Sequence, residues 1–164
     1  MEVLVISHGF WPWAGSCSKR VIALCSELAK ECDTLRVIAA HPADLHVADD
    51  WDPNMFPEVA LHRVSDGTSW PILGSRLTLP EPLVRAVSLL LGHPDRYRVW
   101  AERVTKEVIH TKGVFRPDLV FSSSAPIATH VAAMKLKQVF GCPWVADLRD
   151  QWLGNPMVNR FKYF

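Results

Sequence analysis

The sequence lacks the features that several large classes of protein require. Its 164 residues carry 18 Lys and Arg against 17 Asp and Glu, a net charge of +1, so it has no basic excess for binding nucleic acid phosphates. No stretch reaches the roughly 18 consecutive apolar residues of a membrane span, and the first apolar run is too short for a signal peptide. We therefore expect neither a nucleic-acid partner, nor secretion, nor membrane insertion.

Cysteine is scarce, and its spacing is not that of a metal site. The four cysteines form no CxxC pair and no close Cys/His cluster of the zinc type. We expect reduced, mostly buried thiols in a cytoplasmic protein, and no metal. Hydrophobic residues make up 49% of the chain and charged residues 21%, which is typical of one globular domain.

Short apolar runs alternate with helical patterns along the chain. The region 41–56 is interpreted as irregular, and 65–94 contains one candidate apolar helix, Leu83 to Leu91. Two βα units early and two late predict an α/β fold: a Rossmann-like open, mostly parallel sheet with helices on both faces. Strands are predicted at 3–6, 35–40, 59–64, 117–121 and 143–146, and helices from residue 16 or 18 to 30, at 96–112 and at 127–140.

Three loops follow predicted strands and are candidates for a binding site. They are 8–18, 122–126 and 147–152. In a parallel sheet, ligands bind beyond the carboxyl ends of the strands, where the strand order reverses. We therefore expect these three loops, distant in sequence, to converge on one crevice.

The glycines of the first loop do not match a known dinucleotide signature. Five residues lie between Gly9 and Gly15, so there is no GxGxxG, and no Lys-Ser/Thr pair follows Gly15 as a P-loop requires. Gly15 before a helix either lets an anion approach the unpaired N–H groups or only makes the turn. Ser16 or Ser18 is the expected N-cap.

Polar side chains in the loops allow a functional and a structural interpretation. Asp147 and Arg149, two apart at the end of a strand, form either a sugar or phosphate clamp or a structural ion pair. His8 is a candidate base or a hydrogen-bonding partner of a sugar hydroxyl, and the alternative is a structural role. A hydrolase built on Ser123, Ser124 and His130 is disfavoured, because no G-x-S-x-G elbow is present. The residues 11–13, Trp-Pro-Trp, either stack on a sugar, touch lipid or cover the sheet.

Several segments together resemble a known family. The segments VLVISHGFWP at 3–12 and GSCSKR at 15–20, PDLVFSSSAP at 117–126 and GCPWVADLRDQW at 141–152 resemble the N-terminal half of GT-B glycosyltransferases of the retaining group often called family 4. The last segment is the most specific. The chain departs from the family at its usual glycine pair, where Ala14-Gly15 stands.

The resemblance implies a fold, a division into an acceptor domain and a donor-binding domain, and a set of site residues. Residues 1–164 would form a single Rossmann-like acceptor domain, truncated at its C-terminus, and a donor-binding domain would follow Phe164. The assigned residues are Arg149, Asp150 and His8 for catalysis; Gly15 and Ser16 for the donor diphosphate; and Ser124, Ala125, Pro126 and Asp147 for the acceptor.

The resemblance also implies an activity. The full-length protein would transfer a sugar, with retention, from a nucleotide-sugar donor to a saccharide or lipid-linked acceptor in surface polysaccharide or glycolipid biosynthesis, without metal or cofactor. The isolated chain is expected to be inactive. Its location would be cytoplasmic, with the helix Leu83 to Leu91 either touching the inner membrane face or packing on the domain. The alternatives are a non-enzymatic binding or scaffold module, one subunit of a two-chain transferase, and a small nucleotide-binding enzyme complete in itself.

Overall fold

The computed structural model describes most of the predicted elements. It describes residues 1–13, 15–42, 59–65, 70–72, 75–77, 97–111 and 113–149. The candidate helix Leu83 to Leu91, Asp150 and the aromatic C-terminal residues lie outside these ranges. The elements are β1 (Glu2–Ser7), α1 (Ser16–Glu31), β2 (Thr34–Ala40), β3 (Ala60–Val64), β4 (Trp70–Ile72), β5 (Ser75–Leu77), α2 (Arg98–His110), β6 (Leu119–Ser123), α3 (Ala128–Phe140) and β7 (Trp144–Asp147).

Five of the strands form one parallel sheet. Their order is β3-β2-β1-β6-β7, and every neighbouring pair runs parallel. The chain moves outward from β1 in one direction through β2 and β3, and in the other direction through β6 and β7. The strand order therefore reverses between β1 and β6, and the predicted α/β fold with a Rossmann-like open sheet is confirmed.

The central strand β1 is buried on both faces, as its wholly apolar sequence predicts. Its residues Val3, Leu4, Val5 and Ile6 are all 0% exposed. One face of the sheet packs on α1, where Val21 and Cys25 contact it, and the other packs on α2 and α3. All four cysteines are free thiols, and three of them are buried.

The helix α1 begins at Ser16, one of the two predicted starts, but its N-cap differs from the sequence prediction. The residue in the N-cap position is Gly15, and no side chain caps the helix. Ser18 is buried inside the first turn, and the Ser16 hydroxyl accepts a hydrogen bond from the guanidinium of Arg149. Neither serine that the sequence offered as a cap therefore occupies the N-cap position.

The end of α3 was predicted correctly at the backbone and in part at the side chains. Gly141 ends the helix with a φ of 66° and donates its N–H to the carbonyl of Lys137. The spacing of Ala128, Ala132 and Leu136 predicts that Val139 also faces inward. Val139 is 36% exposed, whereas Phe140 is 4% exposed and takes that place. The last turn therefore buries the residue after the predicted one.

A short antiparallel hairpin, β4 with β5, was not predicted. Its three-residue strands pair Trp70 with Leu77 and Ile72 with Ser75. Strands this short give no detectable alternation, and Pro71 argues against a strand in sequence-based prediction. Among the described residues, no helix has both the length and the apolar character that crossing a bilayer requires.

Candidate functional site

The three candidate loops meet at the carboxyl edge of the sheet, beside the point where the strand order reverses. The backbone N–H of Ser124 donates to the carbonyl of Asp147 over 3.1 Å, which joins the ends of β6 and β7. The guanidinium of Arg149 reaches the Ser16 hydroxyl at the start of α1, 3.0 Å away. Residues from 15–18, 122–126 and 147–149 therefore form one cluster.

The Asp147 carboxylate binds side chains from two other elements of this cluster. Its Oδ2 accepts a hydrogen bond from Nη2 of Arg20 at 2.5 Å and another from the hydroxyl of Ser123 at 2.7 Å. The Asp147 side chain is 23% exposed, and Arg20 is 48% exposed. The carboxylate thus links α1 to the ends of β6 and β7. Its salt bridge is with Arg20, whereas the sequence offered Arg149 as its partner in a structural ion pair. The acceptor role that the resemblance assigns to Asp147 stays a prediction.

Arg149 extends from the end of β7 to the first turn of α1. Besides its bond to Ser16, its Nη1 contacts the sulfur of Cys17. Its backbone N–H donates to the hydroxyl of Ser124 over 3.4 Å. The predicted donor residue Ser16 and the predicted acceptor residue Ser124 are therefore joined through one arginine.

The charge at the start of α1 favours an anion. The helix has no acidic residue in its first turn, and no side chain caps its N–H groups. The positive end of the helix dipole adds to the guanidinium of Arg149, and the one carboxylate in the cluster, Asp147, is already engaged by Arg20. Within the described ranges no group of three or more His, Cys, Asp or Glu is arranged to hold a metal.

The packing of Trp13 explains why residues 9 and 15 of the first loop are glycines. A Cβ on Gly9 would lie 2.2 Å from Cε3 of Trp13, and one on Gly15 would lie 2.8 Å from Cζ2 of the same ring. The backbone of Gly15 has a φ of −65°, which any residue adopts. Gly15 is therefore required by the packing of the indole and not by an unusual backbone angle.

A half-buried arginine holds the loop that carries the tryptophans. Arg63 of β3 donates to the carbonyl of Ala40 over 3.2 Å and to that of Trp11. Burial lowers the pKa of Arg63 to about 10, so the group stays charged at neutral pH. Both the end of β2 and the loop are fixed by this one side chain.

His8, a predicted catalytic residue, packs on the opposite side of the sheet from α1. Its ring lies 4.4 Å from Tyr97 and 5.1 Å from Trp100, between ring centres, and the residue is 6% exposed. The structure therefore groups His8 with α2, while Arg149 lies at α1. A catalytic role for His8 stays a prediction, as does that of Asp150, which lies outside the described residues.

The turn 124–126 is anchored at both ends and exposed at its tip. The Thr129 hydroxyl lies 3.0 Å from the carbonyl of Ser123 and 2.8 Å from that of Pro126. Ser124 and Pro126 are buried, and Ala125 between them is exposed. Of the three predicted acceptor residues in this turn, Ala125 is thus the one that faces solvent.

A hydrogen-bonded chain behind this turn accounts for the histidine that suggested a hydrolase. The indole Nε1–H of Trp144 donates to the hydroxyl of Ser122 at 2.8 Å, and the same hydroxyl shares a hydrogen bond with Nδ1 of His130, 2.7 Å away. Ser122 is 0% exposed and His130 is 5% exposed. His130 is thus bonded to Ser122, whereas the hydroxyls of Ser123 and Ser124, the serines of the disfavoured hydrolase, bond to Asp147.

Sequence reasoning missed Arg20, Cys17 and Ser123. The helical spacing held a signal for Arg20, because it lies four residues after Ser16 and shares its face of α1. The sequence matches no protein-family model and no curated protein.

Proposed function

We propose that the chain is the acceptor-side domain of a retaining GT-B glycosyltransferase, similar to family 4. It would act on a nucleotide-sugar donor and a saccharide or lipid-linked acceptor in surface polysaccharide or glycolipid assembly. A separate donor-binding domain would supply the opposite wall of the cleft and is the main expected partner. The proposal combines the sequence resemblance with the arrangement of the cluster at the carboxyl edge of the sheet.

One observation supports the proposal more than any other. The guanidinium of Arg149 lies at the start of α1, bonded to Ser16 at 3.0 Å and in contact with Cys17. A helix N-terminus and an arginine together are suited to a phosphate group, which takes N–H donors from both. The position beside the strand-order reversal is where an open α/β sheet binds its ligand.

The proposed reaction needs electrostatic stabilisation more than a nucleophile. When the sugar leaves the nucleotide, negative charge develops on the diphosphate, and fixed donors at that point lower the barrier. Arg149 and the first-turn N–H groups of α1 would supply these donors. Asp147, held by Arg20 and Ser123, would fix the loop that carries Arg149, and the exposed turn at Ala125 would face the acceptor.

The test of the anion site is calorimetric titration with pyrophosphate, UDP and GDP. We expect the wild-type chain to bind pyrophosphate and Arg149→Gln to weaken binding roughly tenfold, because a charge-assisted hydrogen bond is lost. Arg116→Gln is the matched control, since Arg116 is exposed and lies before β6, at the opposite end of that strand from the cluster. Equal affinities for wild type and Arg149→Gln would overturn the proposed site.

The test of the reaction is release of nucleoside diphosphate from a panel of nucleotide sugars. We expect the isolated chain to transfer no sugar at a useful rate, because the proposed reaction takes its donor-binding wall from a separate domain. Mixing or fusing the chain with a donor-binding domain should produce release that Arg149→Gln reduces. Robust turnover by the 164-residue chain alone would contradict the division into two domains.

A second candidate function is a non-enzymatic binding module. Val145 on the edge strand β7 is 48% exposed, and Leu148 just after it is 56% exposed. Exposed apolar side chains at a sheet edge favour contact with another protein. Absence of binding to UDP, GDP and their sugars by the wild-type chain would favour this candidate over the transferase.

A further inference from the structure

A cavity of about 300 Å³ lies between the sheet and α2, away from the start of α1. Its walls come from the middle of β2, the first residues of β3 and the end of α2. The chain therefore has a concave surface that the proposed function does not use. Ile38 and Val108 provide apolar lining, and Arg36, His62, Glu107 and Thr111 provide polar groups.

Arg36 is the cation of this cavity, and its guanidinium is held without an ionic partner. The guanidinium carbon lies 4.1 Å above the ring of Phe115, and Nη1 is 3.4 Å from the hydroxyl of Thr111. No carboxylate in the described part of the chain pairs with it. A guanidinium has five N–H donors, so most of its hydrogen-bonding capacity remains available to a ligand.

The acidic group of the cavity is already engaged. Oε2 of Glu107 lies 3.0 Å from Nε2 of His62, across the space between α2 and β3. Arg36 is therefore the lining group that an incoming ion would neutralise. The charge pattern selects an anion over a cation.

We propose that this cavity binds a small monocarboxylate with an apolar body. The carboxylate would take two N–H donors of Arg36 in the paired geometry that guanidinium and carboxylate favour. The apolar body would contact Ile38 and Val108. The proposal is independent of the proposed transferase function, because the cavity lies between β2, β3 and α2, whereas the cluster around Arg149 lies at the ends of β6 and β7 and the start of α1.

Size and charge narrow the ligand class. A volume of about 300 Å³ is at the lower limit of small-molecule pockets, which favours a ligand smaller than a nucleotide. Arg36 contacts Thr111, and Glu107 lies one helical turn, about 6 Å, before Thr111. The negative charge of Glu107 therefore disfavours a doubly charged phosphate at Arg36. A single carboxylate on a small hydrocarbon or aromatic body satisfies both conditions.

The experiment is a titration with benzoate, followed by the backbone amide signals of the ¹⁵N-labelled chain. We expect saturable shifts at Ile38, His62 and Thr111 with a Kd of about 1 mM, as is usual for a ligand of this size. Arg36→Gln should weaken binding roughly tenfold. Lys106→Gln is the control: it removes an exposed charge from α2, the helix that lines the cavity, and should leave the affinity unchanged.

Neutral and phosphate probes separate the competing explanations. Benzamide, which has the shape of benzoate without its charge, should bind roughly tenfold more weakly. If Arg36→Gln loses its native spectrum, Arg36→Lys, which keeps the charge, replaces it and should retain part of the affinity. The proposal is overturned by the absence of saturable shifts at about 10 mM benzoate, by equal binding of benzoate and benzamide, or by inorganic phosphate binding as well as benzoate.

Discussion

At the scale of single residues, packing explains features that sequence patterns present as chemistry. Gly15 before a helix is typical of an anion-binding turn, but the space next to its Cα is filled by Trp13. The same indole fills the space beside Gly9. A glycine in the sequence therefore could not show whether a phosphate or a tryptophan ring packs against it, because both require that the residue has no side chain.

Gly9→Ala should destabilise the domain because its methyl would lie 2.2 Å from the Trp13 ring. We expect a loss of about 1–3 kcal/mol in the free energy of unfolding, as for other overpacked sites. Urea denaturation measures this loss. Gly113→Ala is the control, since a Cβ there meets nothing within 4 Å, and it should change stability by less than about 0.5 kcal/mol. Equal stabilities for the two variants would contradict this role of Trp13.

At the scale of elements, the sequence predicted which segments form helices and strands, but not which long-range contacts join the ends of these elements. Periodicity and apolar runs predict every helix and strand of the main sheet, because these signals depend on nearby residues. The bond between Arg20 and Asp147 joins positions 127 residues apart, and no local pattern records it. The predicted N-cap of α1 was wrong for a similar reason, because the Ser16 hydroxyl bonds to Arg149 and does not cap its own helix.

The link among β6, α3 and β7 should make stability depend on pH. Burial lowers the pKa of His130 from its ordinary value of 6.5, against a smaller opposing effect of Asp147, so the unfolded chain binds the proton more readily than the folded chain. The contribution of the neutral histidine is therefore complete above pH 6.5 and is lost as the pH falls below that value. Unfolding experiments at about pH 7.5 and about pH 5 measure the change.

His130→Gln is the variant that isolates this effect. Its amide oxygen can accept the hydrogen bond from Ser122 and does not titrate, so we expect a smaller loss of stability in acid than in the wild type. His110→Gln, at an exposed position in the last turn of α2, should keep the wild-type dependence. An unchanged pH dependence in His130→Gln would show that other groups are responsible.

At the scale of the whole molecule, the parallel sheet made the position of the candidate site predictable. Carboxyl ends of parallel strands share one edge, so loops at 8–18, 122–126 and 147–152 had to come close once the strands were assigned. The direction in which each side chain points was less predictable. His8 follows β1 directly, yet its ring packs on Tyr97 and Trp100 on the far side from α1.

Because β1 is buried between two helical layers, we expect the two layers to lose stability together when its packing is reduced. Ile6 is 0% exposed and faces α2 and α3, and Ile6→Ala should cost about 2–5 kcal/mol. Amide hydrogen exchange should show the same loss of protection in α1, on the opposite face, as in α3, because β1 carries the hydrogen bonds that join the two halves of the sheet. Val114→Ala, at a position 88% exposed, is the control and should leave exchange unchanged. If Ile6→Ala lowered protection in α3 alone, the layers would be independent units, and the edge at which Arg149 meets α1 would not be held by a single cooperative core.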